Sequence, residues 1–407
     1  MLRLSTYQQF RASEQNIANR QRELFATQQQ VSSGKRIDGP ADDPAGAADA
    51  ASIRSSLARF EQFKSNQDHA NYLLGLGESV LKGVVDGIQD AQEKLVAAGN
   101  GALGDAERQM LATELEGVLG RLVGLANSSD GAGGYLFAGT TPSAAPFTQS
   151  GNTVGYVGDQ TAQRLEIAQG RLQQVKFPGD AVFNRMRAGN GEFTTAVGAT
   201  NTGSAWIDAG SVIDTAATQD RPYAINFTVD ALGPRYAVVR TNADATTTVV
   251  GSGNYRSPTA IQFDGVRVDI NGTPANGDTF TLQPAGSQSV FDSLAKAIDA
   301  LRQPAATDGV ARARLRTVLA GAQTSMAGAL DHVLIKQAEM GSGLQELQAY
   351  ADLNSDRSIE YQTRLSSVED LDYAKATAEL ARQQIGYQAA LQSYAQVQKL
   401  SLFNFIG

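Results

Sequence analysis

The sequence contains no cysteine, one tryptophan (Trp206) and two histidines (His69 and His332). The absence of cysteine excludes disulfides, iron–sulfur clusters and thiol catalysis. With two histidines in the chain, the common zinc sites and Ser-His-Asp hydrolysis have almost no residues to draw on. No stretch approaches the roughly 18 consecutive apolar residues of a membrane span. The N-terminal segment lacks the apolar core of a cleaved signal peptide, which leaves two expectations: a cytoplasmic protein, or export by a route that reads no such signal.

A basic charge excess is also absent. The net charge is −8 at pH 7, with 34 lysines and arginines against 42 acidic residues. Such a chain has no overall positive potential that would attract nucleic acid. Apolar residues make up 42% and charged residues 19% of the 407 residues, which is typical of a folded protein of about two or three domains.

Apolar residues seven positions apart predict a long N-terminal helix. They are Phe10, Ile17, Leu24 and Val31. The helix is expected to end at Ser33, because Gly34 can take the left-handed conformation that follows many helices. After a short loop, Asp43 is predicted to cap the next helix, with Pro44 at its first position.

Further long helices are predicted on both sides of the middle of the chain. Apolar residues keep one heptad register from Phe60 to Leu95, and another helical pattern follows a break at Gly99–Gly104. Helix resumes near Val290 and continues toward the C-terminus, with breaks predicted at Pro304 and around Gly341–Gly343. Helices of this length favour a coiled-coil-like rod.

The C-terminal helix carries two apolar stripes. One is a second strict heptad: Tyr373, Leu380, Tyr387 and Tyr394. The other lies beside it: Leu371, Ala374, Ala378, Ala381 and Ile385. A helix with two apolar stripes has to be buried on two sides, and a single antiparallel partner covers only one. We therefore predict that the terminal heptads, Phe10–Val31 and Tyr373–Tyr394, form an interface between subunits.

The middle of the chain has the pattern of β-structure. Ser128–Gly134 consists of turn-forming residues, and short alternating runs follow it, such as Tyr223/Ile225/Phe227/Val229. Asp264-Gly265 between Phe263 and Val266 is a strong signal for a two-residue hairpin.

These patterns predict an α+β fold in which the N- and C-terminal regions form a long helical rod and a β-rich domain is inserted in the middle. Residues 1–42 and 368–407 are expected to form terminal helices for assembly. Residues 43–179 and 286–367 are expected to form the rod with a β-hairpin region. Residues 180–285 are expected to form the insert.

The loop between the first two helices holds the candidate site residues. Asp42 and Asp43 have the residue type of a metal site or an acid–base pair, but no third ligand lies nearby. We interpret them as capping residues, because Pro44 explains the geometry. Lys35 and Arg36 carry the charge to bind an anion, and we expect them instead to bridge to acidic groups of a neighbouring subunit or to face solvent. The sequence predicts no catalytic residue, no metal and no cofactor.

Both ends of the chain resemble the flagellins and hook-associated proteins of bacteria. The N-terminal signature is Ser32-Ser33-Gly34-Lys35-Arg36-Ile37, then Ala41-Asp42-Asp43-Pro44-Ala45-Gly46. The C-terminal one comprises Leu371–Leu380, Tyr387–Leu391 and Ser401–Phe405, and Gly134–Gly139 and Pro274–Phe280 look like the same family. Lys35, Pro44 and the Phe403–Phe405 ending resemble the junction subunits of the family more than filament flagellin.

The resemblance implies a structural, non-enzymatic subunit that joins the hook to the filament of the bacterial flagellum. It implies a homo-oligomeric ring, with another hook-associated protein on the hook side, flagellin on the filament side and an export chaperone before assembly. It also implies an extracellular location, reached through the flagellar type III apparatus without a cleaved signal peptide, with no membrane insertion and no nucleic acid.

Two alternatives stay open at this point. One is filament flagellin itself. The other is a secreted enzyme with its site in the β insert, where an acid-pair glycosidase is the chemistry that does not need histidine.

Overall fold

A computed structural model describes residues 6–140 and 144–406. The side chains of residues 6, 7, 9 and 397–406, the last of which include the Ser401–Phe405 ending, lie outside the described part. The chain forms two compact units. The first comprises residues up to Ser65 and from Ala349 onward, and the second is Asn66–Gln348. The expected divisions near residues 42 and 368 fall inside the first unit.

Long helices stand at both ends of the chain, as predicted. They are α1 (Thr6–Ser33), α2 (Pro44–Ala98), α3 (Asp105–Ala126), α4 (Val290–Arg302), α5 (Gly309–Glu369) and α6 (Tyr373–Ile406). The breaks predicted at Gly99–Gly104 and Pro304 are confirmed by the ends of α2 and α4. Within the described residues, no helix is both long and apolar enough to cross a membrane.

The break predicted around Gly341–Gly343 is wrong, because α5 is continuous over 61 residues. Gly343 is needed for close packing and does not end the helix. A Cβ atom there would lie 2.7 Å from Gln173 Nε2 and 3.2 Å from Leu74 Cδ1. Absence of a side chain at this position lets the helix approach its neighbours closely.

The middle of the chain is β-rich, as predicted. Its first strands are β1 (Phe147–Ser150), β2 (Thr153–Tyr156), β3 (Gln163–Ala168), β4 (Arg171–Lys176) and β5 (Met186–Arg187), with a π-helical turn at Asp180–Asn184. The next are β6 (Phe193–Val197), β7 (Trp206–Ile207), β8 (Ser211–Val212), β9 (Tyr223–Asp230) and β10 (Gly233–Thr241). The last are β11 (Thr247–Asn254), β12 (Thr259–Phe263), β13 (Val266–Asn271), β14 (Thr279–Pro284) and β15 (Ser287–Gln288).

Two sheets enclose the core of the insert. The larger has the strand order β11-β10-β9-β14-β6, and the smaller has β12-β13-β7 with β8 also paired to β13. Side chains from both sheets form one buried cluster, including Ile225, Phe227, Ile270 and Phe280. The alternation read from β9 is confirmed, since Tyr223, Ile225 and Phe227 are buried while the residues between them are not.

The predicted hairpin is also confirmed. Phe263 pairs with Val266, and the two residues between them, Asp264 and Gly265, have φ angles of 42° and 74°. Both lie in the left-handed region that this two-residue turn requires.

A buried ion pair fastens the predicted Ser128–Gly134 turn to β4. The Lys176 Nζ donates to Asp130 Oδ2 at 2.6 Å, and both side chains are less than one-tenth exposed. Asp130 Oδ1 accepts from the backbone N–H groups of Ala132 and Gly134 at 2.9 and 2.8 Å. Burial raises the pKa of Asp130, but Lys176 and the two N–H groups outweigh burial and lower the pKa to about 2.

This pair predicts a specific dependence of stability on pH. Because the folded-state pKa of Asp130 lies below the ordinary value of 3.8, the carboxylate stabilises the fold above that pH, and the contribution is lost as the pH falls toward 2. At pH 7, Asp130→Asn is expected to lower the free energy of unfolding by about 2 kcal/mol or more. The difference from the unmodified chain should shrink between pH 4 and pH 2.

Urea unfolding across this pH range measures the effect. Asp86→Asn, at an exposed position on α2, is the control and should change stability by less than about 0.5 kcal/mol. If Asp130→Asn lowered the free energy of unfolding equally at pH 2 and pH 7, this would contradict the lowered pKa of Asp130.

Candidate functional site

The loop between α1 and α2 begins with a glycine that its position requires. Gly34 has φ = 74°, and its N–H donates to the Gln30 carbonyl at 2.9 Å, which closes the last turn of α1. A Cβ atom on Gly34 would lie 2.8 Å from the hydroxyl of Tyr373. The prediction that Gly34 ends the first helix in the left-handed conformation is confirmed.

The two acidic residues of the loop cap backbone groups, as interpreted from the sequence. Asp43 Oδ1 accepts from the Gly46 N–H at 3.0 Å, and Pro44 is the first residue of α2. The Gly46 N–H, with a smaller contribution from Arg36, holds the pKa of Asp43 below its usual value. Asp42 Oδ2 accepts from the N–H groups of Asp38 and Gly39, each at 3.0 Å. No cluster of three or more potential metal ligands occurs within the described ranges.

The same loop is tied to the link between α5 and α6. The Arg36 N–H donates to the Glu369 carbonyl at 2.6 Å, and the Leu371 N–H donates to the Gly34 carbonyl at 3.0 Å. The Arg36 guanidinium also donates to the Val368 carbonyl at 2.7 Å. These bonds join two connecting segments from opposite ends of the chain. We call this arrangement, residues 34–36 with 368–371, the terminal joint.

The Glu369 carboxylate is the charged centre of the terminal joint. Its side chain is 6% exposed, and its Oε1 lies 2.5 Å from Arg54 Nη2 and its Oε2 3.4 Å from Lys35 Nζ. Arg36 contacts Asp43 at 3.4 Å. Lys35 and Arg36 thus have acidic partners within the same chain, and their side chains are also 43% and 50% exposed, as the expectation that they face solvent requires. Their contact with a neighbouring subunit stays a prediction.

Sequence reasoning missed Glu369 and Arg54. The two residues are 315 positions apart, and neither belongs to an apolar repeat or a short motif. A single acid at the end of a helix and an arginine within another helix carry no local signal of their pairing.

The predicted heptads of α1 and α6 lie against each other within the chain. The rings of Phe10 and Tyr394 are 5.1 Å apart, and Gly34 lies beside Tyr373, so the two helices run antiparallel. Most of the heptad residues are half-buried: Phe10, Ile17, Leu24, Val31, Leu380, Tyr387 and Tyr394. Tyr373 remains 54% exposed. Contact of these residues with another subunit stays a prediction.

The second stripe of α6 is not covered by α1. Ala374, Ala378, Ala381 and Ile385 are exposed, and Ile385 has 68% of its surface open to solvent. By helical spacing they lie roughly 100–160° around α6 from Leu380, next to the half-buried heptad but turned away from α1. One antiparallel partner therefore covers one apolar stripe, as the sequence predicted. We call these four residues the outer face of α6.

Comparisons with known proteins agree with this architecture. The family model for the bacterial flagellin N-terminal helical region matches residues 4–141. The model for the D2-like domain of flagellar hook-associated protein 1 matches residues 197–284, within the β-rich region. Both matches point to the flagellins and hook-associated proteins as a class.

Individual relatives identify the family within this class. The chain is 27% identical to flagellar hook-associated protein 3 of Salmonella typhimurium, over 99% of each chain. The crystal structure of FlgL from Xanthomonas campestris is 30% identical, with a TM-score of 0.70, and covers 77% of this chain and 99% of its own. The flagellar junction protein FlgL from Legionella pneumophila is 27% identical, with a TM-score of 0.69, and covers 80% of this chain and 100% of its own. The chain belongs to the family of flagellar hook-associated protein 3, FlgL, which confirms the resemblance seen in the sequence.

The terminal joint predicts an unequal response of two arginines on α2. Arg54→Gln should lower the free energy of unfolding by about 1–3 kcal/mol, because the buried Glu369 carboxylate loses its nearest cation. Arg59→Gln is the matched control: Arg59 is exposed and contacts Ser56 at 3.5 Å, so its substitution should change stability by less than about 0.5 kcal/mol. Chemical unfolding followed by circular dichroism compares the two. Equal effects would show that Glu369 does not depend on Arg54.

Proposed function

We propose that this chain is a structural subunit of the bacterial flagellum that joins the hook to the filament. Membership of the hook-associated protein 3 family supports this role, as does the name of the Legionella relative, a flagellar junction protein. Similarity to hook-associated protein 3 over 99% of the chain favours a junction subunit over filament flagellin.

The single observation that carries the proposal is the outer face of α6. An apolar stripe with Ile385 68% exposed is left open after α1 has packed on the other side. Burying a side chain such as Ile stabilises by about 1.5–3 kcal/mol, so a neighbouring helix that covers this face gains stability. Copies arranged in a ring would supply such helices, and the half-buried heptads of α1 and α6 would complete their burial there.

Membership of the hook-associated protein 3 family supports the other partners that we propose. Another hook-associated protein would lie on the hook side of the ring and flagellin on the filament side. An export chaperone would cover the apolar terminal helices before assembly, and the assembled protein would be extracellular, within the flagellum.

Three aspartates of the insert that are buried or half-buried are engaged in folding, so they do not support the secreted-enzyme alternative. Asp278 is 2% exposed and accepts from the N–H groups of Thr202 and Ala275 at 2.9 and 2.8 Å. Asp208 accepts from the Asp269 N–H at 2.9 Å, and Asp264 pairs with Arg240 at 2.7 Å. Each carboxylate thus holds backbone or a neighbouring side chain in place.

Deletion of the gene is expected to separate a junction subunit from a filament subunit. Electron microscopy should show hooks without filaments, and flagellin should accumulate in the medium, because flagellin is still made but has no junction on which to assemble. Restoration of filaments by the full-length chain is the control. Normal filaments in the deletion strain would contradict the proposal.

A charged residue on the outer face of α6 tests the assembly contact. Ile385→Asp should leave the melting temperature of the purified chain unchanged, because the side chain is already exposed there. In the assembly, an unpaired carboxylate in an apolar contact costs several kcal/mol, so the strain should secrete the variant but form no filaments. Because Leu24 and Leu380 are half-buried against the partner helix, Ile385 separates folding from assembly more cleanly than either of them.

Gln384→Asp is the matched control for Ile385→Asp. Gln384 is also exposed on α6 but lies about 100° around the helix from Ile385. The substitution introduces the same side chain beside the tested position and should leave filaments intact. Normal filaments with Ile385→Asp would show that the outer face is not a subunit contact.

A further inference from the structure

A groove lies between the insert and two helices of the second unit. It has a volume of about 760 Å³, which is within the range of roughly 300–1,000 Å³ typical of binding sites. One wall is Thr194–Val197 of β6, another is the Asp292–Asp299 face of α4, and the third is the Arg314–Ser325 face of α5.

The β6 wall is the free edge of the five-stranded sheet. β6 pairs with β14 on one side only. The Gly198 N–H donates to the Thr279 carbonyl at 2.9 Å, and the Ala285 N–H donates to the Glu192 carbonyl at 2.8 Å. Every second residue of β6, counted from Glu192 to Gly198, therefore directs its backbone groups toward β14. The backbone N–H and C=O groups of Thr195 and Val197 therefore point away from β14. No other described element bonds to them. They form a short template for another strand.

The rest of the groove suits an uncharged strand with small side chains. Gly321, Ala322 and Ser325 line the α5 wall, and they leave space above the helix. Two charges of each sign line the groove, from Asp292, Asp299, Lys296 and Arg314, so they balance.

A strand of this chemistry occurs at the opposite end of the same sheet. β11 is the other edge strand, and its sequence, Thr247 to Asn254, contains no charged residue and no proline. Natural edge strands are usually protected by such residues. β6 also lacks both, and Val249 of β11 is 63% exposed.

We propose that β11 of one copy adds to β6 of a second copy, in the groove between β6, α4 and α5. The contact joins opposite edges of one sheet, so it is head-to-tail and continues from copy to copy, as a ring or filament requires. Main-chain hydrogen bonds to Thr195 and Val197 supply the attraction. The proposal concerns the inserts and goes beyond the contacts of the terminal helices, and it is tested on the purified chain, so its failure leaves the junction role untouched.

Cysteine cross-linking tests the contact without background, because the chain has no cysteine. Ala196→Cys on β6 and Ser252→Cys on β11 are both exposed and lie on the sheet face that turns away from the insert's core. Concentrated, full-length single variants, one carrying a size tag, are mixed and oxidised. We expect a disulfide-linked heterodimer at least several-fold more abundant than with Thr228→Cys, an exposed residue of the central strand β9.

A charged variant provides the second readout. In a chain that carries Thr194→Cys as its cross-linking residue, Ala196→Lys should abolish the disulfide to Ser252→Cys of a second copy. The melting temperature should be unchanged, because Ala196 is exposed. The proposal is overturned if Ala196→Cys forms no more disulfide with Ser252→Cys than with Thr228→Cys. It is also overturned if the disulfide between Thr194→Cys and Ser252→Cys still forms when Ala196→Lys is present.

Discussion

The buried carboxylate of Glu369 holds together segments from opposite ends of the chain. It lies 2.5 Å from Arg54 on α2 and 3.4 Å from Lys35 in the first loop, while its own backbone carbonyl accepts from Arg36. A charge that is this buried is tolerated because Arg54 and Lys35 pair with it. By fixing the loop after α1 against the link before α6, these bonds set where α1 ends, where α6 starts and how their heptads meet.

Pairing of α1 with α6 leaves the chain with an unfinished surface. The heptads face each other, and the outer face of α6 stays open. A monomeric protein gains nothing from an apolar stripe in solvent, whereas a subunit that is covered by its neighbours does. The same helix therefore serves folding with one side and, as we propose, assembly with the other. The loop residues that looked like a possible metal or anion site contribute by capping helices and closing the terminal joint.

The insert uses its charged residues differently. Its aspartates cap turns and pair with arginines around a sandwich of apolar side chains, as at Asp278 and Asp264. Both edges of its larger sheet are uncharged, and one lies in a groove between α4 and α5. An edge without charge or proline has the capacity to pair, which is why we assign these strands to contacts between copies.

Local patterns in the sequence determined the helices, the first loop and the β hairpin. Heptads, Gly34, Asp43-Pro44 and Asp264-Gly265 act over a few residues, so their spacing alone predicts their conformation. The sequence also determined the family, since its terminal signatures are specific.

Only the tertiary structure decided which charges meet and which glycines matter for packing. A glycine at position 343 indicates a helix break in the sequence, yet it permits close contact with Leu74 and Gln173 inside a continuous helix. Glu369 and Arg54 are 315 positions apart, and no periodicity links them. Their pairing depends on how the whole chain folds back on itself, because an ion pair between distant segments exists only once both helices are in place.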